Sequence, residues 1–272
     1  MISKNLTLRL IIAAVFIPAL LYVFHIGGVA FFIFVEALVV LSLWELFTLT
    51  KVRLFLLQKV ALVLLAASLP VQFHFFDIWH VLEFVIAAVF LTTLPFAFTR
   101  NLGDVSRSIG ISLFGMIYLA FGFSTLLLIR RGSVVDAETA GGWITFLFAA
   151  IWIIDTAAYF VGANFGKHKL SPAISPNKTV EGFVGGFLGA ILTAGIFNFI
   201  FLKQVGFAHL ILPGLVIAFF GQLGDLVESI FKREMGVKDS SNLIPGHGGM
   251  LDRFDSLVMA APALYLYLLY CQ

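Results

Sequence analysis

Cysteine is almost missing from this chain: one among 272 residues, at Cys271. A single thiol excludes an intrachain disulfide and a cysteine-based metal site. Charge is scarce as well, at 12% of residues against 61% hydrophobic, with a mean hydropathy of +1.05. Few segments of such a chain are compatible with water. The apolar runs lack an alternation of period two, which excludes a transmembrane barrel. No internal repeat, low-complexity tract or linker interrupts them, so a separate soluble domain is not expected. Lys4 and Arg9 precede an apolar stretch from Leu10. No small-residue cleavage site follows it, so the first span is read as uncleaved.

What is present is a succession of apolar runs long enough to cross a hydrocarbon core, which takes about 20 residues per helix. They fall near 9–25, 28–48, 57–75, 78–98, 108–129, 142–162, 180–202, 207–227 and 250–270. The expectation is an all-α, polytopic integral membrane protein of about nine transmembrane helices. Residues 1–140 supply about five spans and residues 141–272 about four, the second group carrying the reactive polar residues. Alternating the loops puts all but Arg130, Arg131 and Lys203 of the 17 basic residues on one side. Basic residues stay cytoplasmic. The N-terminus is therefore expected inside and the C-terminus outside, with the polar loops 163–179 and 228–249 both cytoplasmic.

On that topology four acids reach one depth. Asp225 comes late in the eighth span, Asp155 two-thirds of the way along the sixth, and Asp252 and Asp255 in the first turns of the ninth. The i,i+3 spacing of the last two predicts carboxylates on one helix face. Charges in spans are costly and mark sites by default. Clustered carboxylates without cysteine, and with His247 as the one nearby histidine, suit a hard cation such as Mg²⁺ rather than zinc. The alternative is simple pairing with neighbours such as Arg253 and Lys232.

Around the acids lie groups suited to phosphate. Gly246, Gly248 and Gly249 open the start of the last helix, whose N–H groups attract anions, and Lys232, Arg233, Lys238 and Arg253 add charged donors. The loop "LSPAISPNKTVEG", residues 170–182, contributes Ser171, Ser175, Asn177 and Lys178. It reads equally as a substrate loop or as a capped entry to the seventh helix, with Ser or Thr ahead of Glu181. Together these groups suggest a metal-bound polyphosphate at the cytoplasmic surface. Glu36 and Glu45, in the second span, have no partner in this reading.

The stretch "SIFKREMGVKDSSNLIPGHGGMLDRFD", residues 229–255, resembles the signature of the phosphatidate cytidylyltransferases, or CDP-diacylglycerol synthases. "SPAISPNKTVEG" resembles a second recurrent segment of that family, so the likeness is sharp over residues 155–257. The resemblance implies transfer of CMP from CTP to phosphatidic acid, giving CDP-diacylglycerol and pyrophosphate, the first committed step of phospholipid synthesis. It implies Mg²⁺, with room for a second cation, at Asp225, Asp252 and Asp255. Lys232 and Arg253 are implied as catalytic cations. Ser171, Ser175, Asn177, Lys178, Arg233, Lys238, His247, Gly248 and Gly249 are implied on the substrates. Asp155, Glu181, Ser229 and Asp239 are further candidates. The expected setting is a multi-pass protein of the inner (plasma) membrane whose site faces the cytoplasm. Its partners are CTP, phosphatidic acid and the bilayer, with no nucleic acid; a homodimer is open. A transporter would instead need paired repeats and a mid-depth site. A CDP-alcohol phosphotransferase would need an Asp-Gly-x-x-Ala-Arg motif that this sequence lacks.

Overall fold

The computed structural model describes residues 16–76, 80–99, 103–200, 203, 205–241, 243 and 248–271. His247 and Gly246 lie outside the described residues, as do Lys4 and Arg9. Helices dominate: α1 (Phe16–Ile26), α2 (Gly28–Leu49), α3 (Leu56–Phe75), α4 (Val81–Ala97), α5 (Val105–Arg130), α6 (Ala137–Phe165), α7 (Val180–Ile200), α8 (Phe207–Glu234) and α9 (Leu251–Tyr270). Six of them, α2, α3, α5, α6, α7 and α8, are long and apolar enough to cross a membrane. The protein is thus an α-helical, multi-pass membrane protein. Every apolar run of the sequence that lies among the described residues has become a helix, because inside lipid the backbone must satisfy its own hydrogen bonds. Prolines 70, 95, 213 and 262 are carried within α3, α4, α8 and α9, where neighbouring helices support the backbone. Within α5 the coil widens to a π-helical turn over Met116–Phe121.

One departure from the all-α expectation is a short antiparallel hairpin between α6 and α7. Lys169–Ser171 (β1) pairs with Ser175–Thr179 (β2), Lys169 opposite Thr179 and Ser171 opposite Ser175. Strands of this length have too little alternation to be read from hydrophobic pattern. The hairpin is closed at its base by the first turn of α7. The Val180 N–H donates to His168 O at 2.9 Å, the His168 N–H lies 3.2 Å from Glu181 Oε2, and its ring Nδ1 is 2.7 Å from Glu181 Oε1. Thr179 Oγ1 accepts the Gly182 N–H at 3.0 Å. The capped-entry reading of this loop therefore describes Thr179, while Glu181 turns back to the hairpin.

Packing is closest in the second half. Gly182, Gly185 and Gly189 line the face of α7 toward α6, where an added Cβ would meet Ala158 O, the Val161 side chain and Ala157 Cβ at 2.9 Å or less. Small residues let membrane helices approach when lipid supplies no hydrophobic drive. Gly224 does the same for α8 and α9, since a Cβ there would lie 2.6 Å from Asp255 O. That contact brings the end of α8 against the start of α9.

The contacts also separate the two ends of the bundle. At one end meet the end of α2, the starts of α5, α7 and α9, and the end of α8. The ties are Glu45 to Leu251, Arg107 Nη2 to Glu234 Oε1 at 3.2 Å, and Lys178 to Asp225. At the other end the end of α5 meets the ends of α1 and α3. Arg130 donates to Phe24 O and His25 O, both at 2.8 Å, and Arg131 to Phe76 O at 2.9 Å.

Candidate active site

The polar residues of α6, α8, α9 and the hairpin meet at the first of those ends. Asp225, Glu228 and Asp255 each offer a carboxylate oxygen within 4.8 Å of the other two. Asp225 and Glu228 share a face of α8 because they are three residues apart, and Asp255 comes across from α9 where Gly224 admits it. Lysines neutralise the group. Lys178, on β2, pairs with Asp225, and Lys232, one turn beyond Glu228, pairs with Glu228. Glu228 has a side chain only 1% exposed, so without that ammonium its charge would be unsupported.

Two chambers open on this group. One, of about 580 Å³, lies between α6, α7, α8 and the hairpin and is lined by Tyr159, Gly162, Asn177, Lys178, Gly182 and Phe183 among others. It is mostly apolar. The second, of about 440 Å³, is lined by Lys232, Arg233, Lys238, Asp239, Arg253 and Asp255 above a floor of Phe148 and Trp152. It is mostly polar, its wall mixing four bases, for which we call it the basic chamber, with the five acids Asp155, Asp225, Asp239, Asp252 and Asp255. Asp155 and Asp225 border both, so the acids stand where the apolar and the basic chambers meet.

Asp252 does something different from its expected partner Asp255. Phe254 has non-helical angles, φ −128° and ψ 16°, and this break removes the common face that i,i+3 spacing predicts. The Asp252 carboxylate lines the second chamber with Asp225 and Asp255 and shares Lys232 with Glu228. It pairs with Lys232 Nζ at 2.9 Å and accepts the N–H groups of Ser240 at 2.8 Å and Gly249 at 2.7 Å, with Ser240 Oγ at 3.0 Å. Gly248, at φ 85°, makes the turn this requires; a side chain there would meet Asp252 Oδ2 at 2.7 Å. The expected anion-facing amides at the start of α9 are likewise engaged internally. Gly249 donates to Asp252, and Met250 and Leu251 donate to Glu45, each at 2.9 Å. An N-terminus already capped by two carboxylates has no amide left at these positions for phosphate.

Of the other expected residues, Lys178 and Asn177 border the apolar chamber, whereas Ser171 and Ser175 sit opposite one another in the hairpin and line neither chamber. Arg233 borders the basic chamber while its Nε donates to Ile174 O at 3.1 Å and its Nη1 to Val237 O at 2.9 Å, which ties the hairpin turn to the end of α8. Ser229 Oγ is 3.4 Å from Asp225 Oδ1. Lys238, Asp239 and Arg253 line the basic chamber as a set. Two acids were missed. Glu228 carried a signal, an acid three residues after Asp225 and four before Lys232 in an apolar helix. Glu45 carried none beyond its cost in a span.

The fold and the site together define a class: a membrane-embedded helical protein with carboxylates and lysines between a polar and an apolar chamber. Comparison with known proteins makes the class specific. Residues 7–271 match the model of the cytidylyltransferase family, and the chain belongs to that family. Among its relatives is the phosphatidate cytidylyltransferase of Bacillus subtilis (strain 168), 38% identical over 255 residues that cover 91% of this chain and 92% of the relative. Those of Staphylococcus haemolyticus (strain JCSC1435) and Staphylococcus aureus (strain COL) are each 35% identical, over 98% of this chain and 99% of the relative.

Proposed function

We propose that this protein is a phosphatidate cytidylyltransferase, joining CTP and phosphatidic acid into CDP-diacylglycerol and pyrophosphate at the cytoplasmic face of the inner (plasma) membrane. The observation that carries the reading is the meeting of the two chambers at Asp225 and Asp155. The polar chamber, with Lys232, Arg233, Lys238 and Arg253 for the triphosphate and acids that a divalent cation would neutralise, suits the nucleotide. The apolar chamber suits the lipid, so the two reacting phosphates come together at the acids. Membership of the family and the names of the relatives support the same substrates. Residues 141–272 carry the transfer and residues 1–140 its scaffold. The basic residues support a reading of nine crossings with the N-terminus inside; six of the described helices are long and apolar enough to cross a membrane.

The reaction forms a bond from a phosphatidate oxygen to the α-phosphorus of CTP and breaks the bond from that phosphorus to the bridging oxygen, with pyrophosphate leaving. A phosphate monoester has a second pKa near 6, so the attacking oxygen is largely deprotonated at neutral pH and needs no general base. The demand is neutralisation and alignment of two polyanions. Lys178 and Lys232 present ammonium groups from the walls of the two chambers, and Lys238, Arg233 and Arg253 line the nucleotide side. Asp225, Glu228 and Asp255 fit a hard divalent cation, being three carboxylates with no sulfur or imidazole among them. Bound there, Mg²⁺ would supply charge neutralisation for the triphosphate. Asp252 borders the same chamber and shares Lys232 with Glu228, so it stands beside the three as a further candidate ligand.

The decisive measurement uses purified protein in detergent or liposomes with labelled CTP, phosphatidate and Mg²⁺. Lipid-soluble CDP product and pyrophosphate are expected in equal amounts, lost on chelation and restored by Mg²⁺. Absence of the lipid nucleotide under these conditions refutes the proposal, and cation-coupled flux without it favours a transporter.

A further inference from the structure

The second span contains an acid with every oxygen lone pair facing the far end of the chain. Glu45, in the last turns of α2, is 5% exposed. Its Oε1 accepts the Ser241 hydroxyl at 2.6 Å and the Met250 N–H at 2.9 Å. Its Oε2 accepts the Leu251 N–H at 2.9 Å and lies 3.3 Å from Ser240 Oγ. The three full donors, with the Ser240 hydroxyl whose single proton is divided between Glu45 and Asp252, belong to the segment that joins α8 to α9 and to the first residue of α9, about 200 residues away in sequence. Gly249 is shaped to this contact: an added Cβ would lie 2.0 Å from Ser240 Oγ and 2.6 Å from Glu45 Oε2.

An ordinary helix cap comes from a residue next to the helix and holds one or two amides. Glu45 differs in origin and in reach, because it engages residues 240–241 and 250–251 at once. Ser240 and Ser241 directly follow Lys238 and Asp239, and Leu251 directly precedes Asp252 and Arg253. These flanking side chains line the basic chamber. Ser240 is also hydrogen-bonded to Asp252, which holds Lys232. A buried carboxylate whose hydrogen bonds are all made is rigid, and leaving them unmade is costly. The wall of the basic chamber is therefore referenced to α2, while the apolar chamber is walled by α6, α7, α8 and the hairpin.

We propose that Glu45 is a positioning residue for the nucleotide side of the site: by clamping Ser240, Ser241, Met250 and Leu251 to α2 it sets where Lys238, Asp239 and Arg253 stand around CTP. The inference rests on the proposed activity for its kinetic part and on geometry alone for the remainder. It gives the N-terminal helices a part in CTP recognition in addition to their role as scaffold.

Glu45→Gln keeps the volume and one accepting oxygen but turns an NH₂ toward donors. In the purified variant, KM for CTP is expected to rise by about tenfold, with KM for phosphatidate within about twofold of the parent. Ser241→Ala, which removes one donor and leaves the acid, should shift the CTP parameter the same way by less. Hydrogen exchange supplies a readout independent of turnover: the Met250 and Leu251 amides should exchange faster in Glu45→Gln, while those of α6 and α7 stay unchanged. Equal changes for both substrates, or a loss of activity that only tracks a lowered melting temperature, would reduce Glu45 to a structural cap and overturn the inference. Unchanged CTP kinetics and unchanged exchange would do so as well. A parent protein that makes no product indicts the activity, whereas slow exchange at both amides in the variant indicts the clamp.

Discussion

Lys232 stands with its ammonium between Glu228 and Asp252, and the two acids it touches have different tasks. Glu228 lies with Asp225 and Asp255; Asp252, which also borders the chamber, accepts hydrogen bonds from the turn before α9. The variants should therefore part company. Asp255→Asn and Glu228→Gln remove negative charge where the proposed cation binds, and turnover is expected to fall about 10²-fold or more with little change in melting temperature. Asp252→Asn weakens three charge-assisted hydrogen bonds at the turn, and a loss of about 2 kcal/mol of stability is expected alongside slower turnover. Thermal melts beside rates at saturating Mg²⁺ check this. A cold-stable, inactive Asp252→Asn would return Asp252 to the cation. At this scale the sequence told which residue types gather. It did not tell which oxygen faces which partner, and Glu228 joins the acids only when α8 and α9 are packed together.

Among the elements, the helices were legible and their irregularities were not. Long apolar runs become helices whatever surrounds them, since lipid leaves the backbone no other partner. The break at Phe254, the hairpin and the turn at Gly248 depend on contacts across the bundle. Gly249 shows the difference. As a glycine near a helix start it reads as a source of backbone freedom or of phosphate-binding amides, whereas in the structure the space for its missing side chain is filled by Glu45 and Ser240. Gly249→Ala is expected to push the turn away from α2, costing about 1–3 kcal/mol as overpacking does. Its effect on CTP kinetics should resemble that of Glu45→Gln. A melting temperature and CTP kinetics equal to the parent's would mean that the turn yields without consequence.

For the whole molecule, the proposed sidedness rests on the basic residues, and two of the three exceptions have structural reasons. Arg130 and Arg131 lie on the expected outer side because each closes the carbonyl end of another helix, α1 and α3, a use of arginine favoured at helix C-termini. A test begins from Cys271→Ser, which leaves no thiol. Single cysteines at the exposed positions Lys203 and Lys169 are then offered a membrane-impermeant maleimide on intact cells. Lys203→Cys should label at once and Lys169→Cys only after the cells are opened; the reverse pattern would invert the topology.

The sequence alone determined that the chain folds within a membrane, that its polar residues collect toward one end, and that those residues are acids and bases suited to a polyphosphate. These are properties of run length, charge count and order along the chain, which a bilayer reads locally. Only the tertiary structure decided that Glu228 joins Asp225 and Asp255, that Asp252 holds the turn, and that Glu45 of α2 reaches across to it. Those outcomes depend on how helices rotate against one another and where one of them breaks, and such facts arise only when distant segments are packed together.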